Sequence, residues 1–317
     1  MSREQRIRID GILRRPEPEG PRTVEEIRAG FRELMARMIV PHGRIRTADT
    51  TLGGRPALRV EPKTGPDTGA QDGAGAGTIL YFHGGGWVFG SPATALSLTG
   101  NLVARTGLGA YSVDYRLAPE HPFPAAIEDT LSAYRDLLGR GAEPSTVVFA
   151  GDSAGGGLAV TTCLAARDAG LPLPAAVLAF SPGLDATRSG ESMTTKEGVD
   201  PIFTRAALEH TGAMYLAGAD PRQPLLSPAV HADLTGFPPM LIQVGANEML
   251  LDDSVRLAAR ARTAGVDVIL DVTADVPHVF QSFAGGVLDE ADEALDRAAL
   301  FLRQRIRAGQ AARASAA

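Results

Sequence analysis

Cysteine is nearly missing from this chain: Cys163 is the single one in 317 residues. An internal disulfide framework is therefore excluded, and with it the small secreted scaffolds that depend on one. No run approaches the ~20 apolar residues of a membrane-spanning helix. The N-terminus, Met-Ser-Arg-Glu-Gln-Arg-Ile-Arg-Ile-Asp, is charged and carries no apolar signal region. A soluble cytoplasmic protein is the expectation. Metal-ligand spacing is absent as well. The histidines, at positions 42, 83, 121, 210, 231 and 278, form no pair of the kind that holds zinc, so no structural or catalytic metal is expected. Charge of one sign is also lacking. The net value is −6, with Lys and Arg scattered among Asp and Glu, which argues against nucleic acid or an anionic membrane as a partner. What remains is length enough for one large core.

The most informative stretch runs from Thr146 to Leu158. Thr146 to Ala150 is a short apolar, β-branched run, as expected of a buried strand. Gly151-Asp152-Ser153-Ala154-Gly155 is a Gly-x-Ser-x-Gly turn, and Gly156 to Arg167 is small and apolar enough for a helix packed on a sheet. Strand, sharp turn and helix together make a nucleophile elbow. Ser153 would then sit on strained backbone, with glycines beside it where a Cβ would collide. The helix N-terminus would aim its free N–H groups at the serine oxygen. Cys163, on that helix, reads as a small core residue.

The rest of the chain alternates. Residues 23–40 read as a helix with a Thr23/Glu26 capping box and an apolar stripe of Ile27, Phe31, Leu34, Met35 and Met38, stopped by Pro41. Strands follow from Arg44 to Val60 around a Leu52-Gly53-Gly54-Arg55 turn, then a loop at 61–77. Thr78–Phe82 reads as a buried strand, and His83-Gly84-Gly85-Gly86-Trp87 comes directly after it. Three consecutive glycines are entropically unfavourable; an oxyanion hole, where bare N–H groups approach a developing charge, would explain them. Further strands are expected at 109–114, 176–180, 240–244 and 266–272, and helices at 93–106, 125–138, 254–264 and 288–307, with an Ala-rich tail. Two short helical stretches are expected within 185–222. Arg116 and Glu120 read as a structural ion pair. The alternation predicts a mostly parallel sheet covered on both faces.

A serine nucleophile needs a base and an acid that orients the base. Where the nucleophile sits on such an elbow, the order is Ser, acid, His, on loops after later strands. Of the histidines after Ser153, only His278 follows a late strand, so His278 is expected as the base. After strand 240–244 come three competing carboxylates, Glu248, Asp252 and Asp253.

Several motifs then occur in one order: His83-Gly-Gly-Gly-Trp87, Tyr115-Arg-Leu-Ala-Pro-Glu120, Gly151-Asp-Ser-Ala-Gly-Gly156, Leu225-Leu-Ser-Pro228 and His278-Val-Phe280. By these the chain resembles the bacterial hormone-sensitive-lipase-like esterases, from about Tyr81 to the C-terminal helix. It also resembles their branch with monoterpene lactone hydrolases and acetylhydrolases. The resemblance implies an α/β-hydrolase fold with a helical cap, and oxyanion donors at the N–H groups of Gly85, Gly86 and Ala154. It aligns Glu248 with the family's catalytic Asp. Asp252 and Asp253 sit where a helix begins, which explains acidic residues by the dipole, so Glu248 is the expected acid. The departure is that Glu248-Met249-Leu250 stands where most relatives carry Asp-Pro-Leu.

The expected organisation is N-terminal cap helices over 1–45, a hydrolase core over 46–184 and 223–307, a cap insert over 185–222 and a flexible tail over 308–317. The expected function is a serine carboxylesterase acting on small-molecule esters of short to medium acyl chain through an acyl-enzyme, with no cofactor. Lactone or N-acetyl hydrolysis by the same triad is the alternative. A non-catalytic receptor, as in the gibberellin receptors that resemble this family but lack the histidine, is disfavoured by His278. Relatives often pair through the C-terminal strand and helix, which implies a homodimer through residues 266–307.

Overall fold

A computed structural model describes residues 2–14, 23–63 and 77–316. The chain starts with two helices, α1 (Ser2–Leu13) and α2 (Val24–Met35). The antiparallel hairpin β1 (Ile45–Leu52) and β2 (Arg55–Pro62) follows. Then come β3 (Thr78–Phe82), α3 (Leu96–Thr106), β4 (Gly109–Val113), α4 (Ala125–Gly139), β5 (Val147–Asp152), α5 (Ala154–Asp168) and β6 (Ala176–Phe180). An insert carries α6 (Ser192–Thr195) and α7 (Arg205–Leu216), and α8 (Pro228–His231) leads back to the sheet. The chain finishes with β7 (Met240–Gly245), α9 (Leu251–Thr263), β8 (Val268–Thr273) and α10 (Asp289–Ala316).

The strands form one eight-stranded sheet in the order β1-β2-β4-β3-β5-β6-β7-β8. Only β2 runs against the others, antiparallel to both β1 and β4; from β4 to β8 every pairing is parallel. The central strands are continuous apolar runs because helices cover both of their faces. In β3, Leu80 and Phe82 enter one core with Phe149, Tyr134 and Leu158, while Ile79 and Tyr81 enter the other with Phe180, Leu295 and Leu302. That period-two division is how one strand feeds both layers. Parallel order also brings the C-terminal ends of β3, β5, β6, β7 and β8 to one edge, the place where such sheets carry ligands.

Most expected elements are present with shifted ends. The Thr23/Glu26 capping box forms, but α2 ends at Met35; residues 36–38 continue as a turn, so Met38 lies beyond the helical stripe. The loop expected at 61–77 falls largely outside the described residues. α10 continues through the Ala-rich segment to Ala316, since alanine is the strongest helix former and no Gly or Pro interrupts after Gly309. Cys163 is buried in the core, and burial pushes its thiol well above the usual range.

One expectation is overturned: Arg116 and Glu120 do not pair. Asp129 on α4 takes the Arg116 main-chain N–H and its guanidinium, each at 2.8 Å, and Glu128 adds a contact at 3.1 Å. Glu120 instead faces α2 and forms a two-pronged bond with Arg28, at 2.8 and 2.7 Å. Nearness along a loop did not decide the partners; the facing helices did. Among the described residues, no helix is long and apolar enough to cross a membrane.

Candidate active site

The sheet edge holds a connected set of side chains. Ser153 sits between β5 and α5 at φ 53°, left-handed backbone that a serine rarely adopts. Its neighbours have no room for a side chain. A Cβ on Gly151 would lie 2.3 Å from the Gly155 carbonyl oxygen, and one on Gly155 would lie 2.0 Å from that of Phe82. The tight crossing of α5 over β3 holds the serine at the tip of the turn.

His278, after β8, places its Nε2 2.9 Å from Ser153 Oγ. Its Nδ1 lies 2.7 Å from Glu248 Oε2. The carboxylate accepts a hydrogen bond from Nδ1–H, which leaves Nε2 free to accept one from the serine hydroxyl. Burial alone would lower the His278 pKa; the charge of Glu248 and its hydrogen bond outweigh that and hold it above 6.5. Glu248 itself is fully buried. The other carboxylates play different parts. Asp252 accepts the Ser192 N–H at 2.9 Å, and Asp253 accepts those of Leu184 and Asp185 at 2.7 and 2.9 Å. They fasten the insert to the sheet rather than cap their own helix, although both do lie in the first turn of α9.

The glycine loop after β3 lies alongside. Gly85 and Gly86 have φ of 121° and 59°. A Cβ on Gly85 would stand 2.1 Å from the Phe89 carbonyl oxygen. Among the described residues, the N–H groups of Gly85, Gly86 and Ala154 donate to no protein acceptor. The loop is fastened from both sides. Asp152 lies against it, with the Tyr81 hydroxyl on its other oxygen at 2.8 Å, and the Tyr115 hydroxyl donates to the His83 carbonyl at 2.7 Å. His83 is buried, its pKa lowered to about 4 by desolvation, and its Nδ1–H donates to the Gly84 carbonyl at 2.8 Å. The insert roofs the edge. Phe203 lies over His278 with ring centres 4.6 Å apart, and Thr211 on α7 stands 3.8 Å from where a Gly86 Cβ would be.

Sequence reasoning missed Ser181. It follows β6, at φ 46°, and its hydroxyl donates to Glu248 Oε1 at 2.7 Å while accepting the Val279 N–H at 3.0 Å. One hydroxyl thus links the carboxylate loop to the histidine loop. The Gly245 N–H supplies the second donor to Oε1. The one sequence signal for Ser181 is position, the first residue past a central strand at its C-terminal end.

This fold and this serine–histidine–carboxylate edge define a hydrolase of the α/β class. The α/β-hydrolase-fold family pattern matches residues 79–282. An acetyl-hydrolase of Streptomyces hygroscopicus is 46% identical over 233 residues, covering 74% of this chain and 76% of its own. A carboxylesterase of Mycobacterium tuberculosis is 36% identical over 244 residues, covering 73% and 74%. A solved esterase of the bacterial hormone-sensitive lipase family superposes with a TM-score of 0.88 at 40% identity, covering 96% of this chain and 98% of that one. The chain belongs to the α/β-hydrolase family.

Ser181 gives a direct prediction. Ser181→Gly relaxes the backbone but leaves the buried Val279 N–H without its acceptor. These opposed effects are of similar size, so it should change the melting temperature little while lowering kcat about tenfold or more with KM little changed. With one donor fewer on its carboxylate, Glu248 holds the imidazolium more strongly, so the acid limb of the pH–rate profile should move up. An unaltered kcat and pH profile in this variant would leave Ser181 a purely structural residue.

Proposed function

We propose that this hydrolase is a serine carboxylesterase of small-molecule esters with short to medium acyl chains. The observation that carries the reading is the Ser153–His278–Glu248 relay ending beside three N–H groups without acceptors. Ser153 Oγ attacks the ester carbonyl while His278 Nε2 takes its proton. The carbonyl oxygen becomes an oxyanion held by the N–H groups of Gly85, Gly86 and Ala154, helped by the N-terminus of α5. Collapse breaks the C–O bond, and His278 returns the proton to the departing alcohol. Water then attacks the acyl-enzyme, with His278 again as base, and the acid leaves. Glu248 keeps the imidazole in the Nδ1–H tautomer and stabilises it when charged. No step calls on a cofactor. The acetyl-hydrolase among the relatives supports short acyl groups, and hydrolysis of lactones or N-acetyl groups by the same residues is the second reading.

A panel of p-nitrophenyl esters from acetate to palmitate, beside a lactone and an N-acetyl amide, tests substrate class. Ser153→Ala should lose turnover on the millionfold scale of a deleted nucleophile. Glu248→Gln should lose at least about a hundredfold, Glu248→Asp should stay partly active, and Asp252→Asn should stay within about tenfold. Because the His278 pKa stands above 6.5, activity should fall as the pH drops through that raised value, when the base becomes charged. A dead Asp252→Asn beside an active Glu248→Gln would reassign the acid.

The insert at 185–222 and the N-terminal segment 1–45 form the cap in this reading. Phe203 and Thr211 supply the roof, and Phe31 of α2 packs on Phe89 beside the glycine loop at 4.8 Å. Since α2 buries no residue completely, deleting residues 1–40 should lower kcat/KM far more than the melting temperature. An equal loss of both would make these helices ordinary packing.

The assembly we propose is a homodimer through residues 266–307. β8 is the last strand of the sheet, with Ile269 and Val272 exposed at 46% and 45%. An open apolar edge of this kind tends to pair. Light scattering should show a dimer that Ile269→Lys converts to monomer; a monomeric parent at micromolar concentration would refute it.

A further inference from the structure

Near the backbone of Ser153, the insert and α5 line a cavity of about 180 Å³. Its apolar walls include Trp87, Gly183, Leu208, Tyr215, Leu225 and Leu226. The Trp87 ring stacks on Tyr215 with centres 4.5 Å apart and reaches over two glycines. A Cβ on Gly183 or on Gly157 would come within 3.3 Å of that ring. Gly183 donates its N–H to the Ser153 carbonyl at 3.1 Å, so the cavity begins directly beside the nucleophile's backbone. Neither His278 nor Phe203 lines it. In an ester hydrolase the histidine protonates the departing alcohol. The alcohol therefore lies toward His278, and the acyl chain points the other way, toward Trp87 and Gly183.

One cation faces this space without an ion pair. Arg188, half-buried, has no ion pair among the described residues and one long hydrogen bond, 3.5 Å, to the Leu208 carbonyl. Three carboxylates lie close, Asp185 and Glu209 in the cavity wall and Asp253 within reach of the Arg188 charge, and each is held by other partners. Asp185 accepts from the main chain and hydroxyls of Thr187 and Ser189 and pairs with Arg256 at 3.3 Å. Glu209 pairs with Arg205 at 3.7 Å, and Asp253 is held by two main-chain N–H groups. The Arg188 backbone is at φ 54°, strained for any residue with a side chain. An unpaired guanidinium over apolar walls is unfavourable unless a ligand completes it. The group it fits best is a carboxylate, which its planar fork can bind through two parallel bonds.

We propose, resting on the ester-hydrolase reading above, that Arg188 makes this cavity an acyl subsite for half-esters of short dicarboxylic acids. The distal carboxylate of the acyl chain binds the guanidinium, while the methylenes lie along Trp87 and the leucines. Arg188 is then a residue that determines specificity, remote from the bonds that change.

Monoethyl adipate and ethyl hexanoate share the same methylene chain and differ at its end, carboxylate against methyl. With acid release followed in a pH-stat, the parent should favour the half-ester in kcat/KM by at least about tenfold. Arg188→Met should reduce that ratio by a similar factor. Arg188→Gly, which removes the guanidinium and also relaxes the backbone, should do the same and guards against a folding defect. A parent that prefers ethyl hexanoate, or a ratio unchanged in both variants, overturns the proposal. Trp87 is the single tryptophan, so its fluorescence gives a reading independent of catalysis. Adipate should produce a saturable change that the uncharged 1-hexanol does not, and that both variants lose. Turnover of p-nitrophenyl butyrate without adipate binding would sink the subsite and leave the esterase standing. Adipate binding without turnover of any ester would do the reverse.

Discussion

The close approach of Gly155 to the Phe82 carbonyl sets the position of everything at the sheet edge. There the start of α5 presses directly on the end of β3, at a distance where a Cβ would stand 2.0 Å from a carbonyl oxygen. No other residue type permits that crossing. It forces the chain between β5 and α5 to turn within one residue, which lifts Ser153 above the sheet. It also sets the first N–H groups of α5 beside the glycine loop that leaves β3. Ser153 and the free N–H groups of the glycine loop are thus two ends of a single backbone contact, and a shift in one would carry the other with it.

Around that contact, the loops after β6, β7 and β8 are tied by buried polar bonds as well as by apolar packing. Ser181 joins two of them through one hydroxyl. Asp200 accepts the Met249 N–H at 2.8 Å and, with its other oxygen, those of Ile202 and Phe203 at 2.8 and 3.0 Å. Asp252 and Asp253 bind the other end of the insert. Such groups are costly when half satisfied and rigid when complete. The insert's two attachments therefore share their residues with the loop that supplies Glu248, so the position of the insert and that of Glu248 are mechanically coupled.

Legibility in the sequence followed the range of each interaction. Buried strands such as Thr78–Phe82 and Ala176–Phe180 were readable because covering on both faces leaves an apolar run of strand length. The elbow and the glycine loop were readable because close backbone approach writes glycine into fixed local positions. His278 and Glu248 followed from chain order and from the family resemblance, and the structure sets His278 within hydrogen-bonding distance of both Ser153 and Glu248. Partner choice was not legible. Arg116 met Asp129 rather than Glu120, since a guanidinium pairs with whatever carboxylate the neighbouring helix presents. Asp252 and Asp253 looked like charges placed for a helix dipole, yet their side chains reach sixty and more residues away in the chain. Ser181 had no motif at all, because its role exists only once three loops have met.

Seven non-glycine residues among those described stand at positive φ, and five of them border the site: Trp87, Ser153, Ser181, Arg188 and Val279. Each of these local conformations is disfavoured by roughly 1–3 kcal/mol, and together they form a reserve of instability gathered in one place. Selection for heat tolerance alone would find gains there wherever the side chain packs little, as at Arg188, by converting the position to glycine. Such a lineage would grow sturdier while its chemistry faded. In this fold, endurance and activity draw on the same few backbone angles.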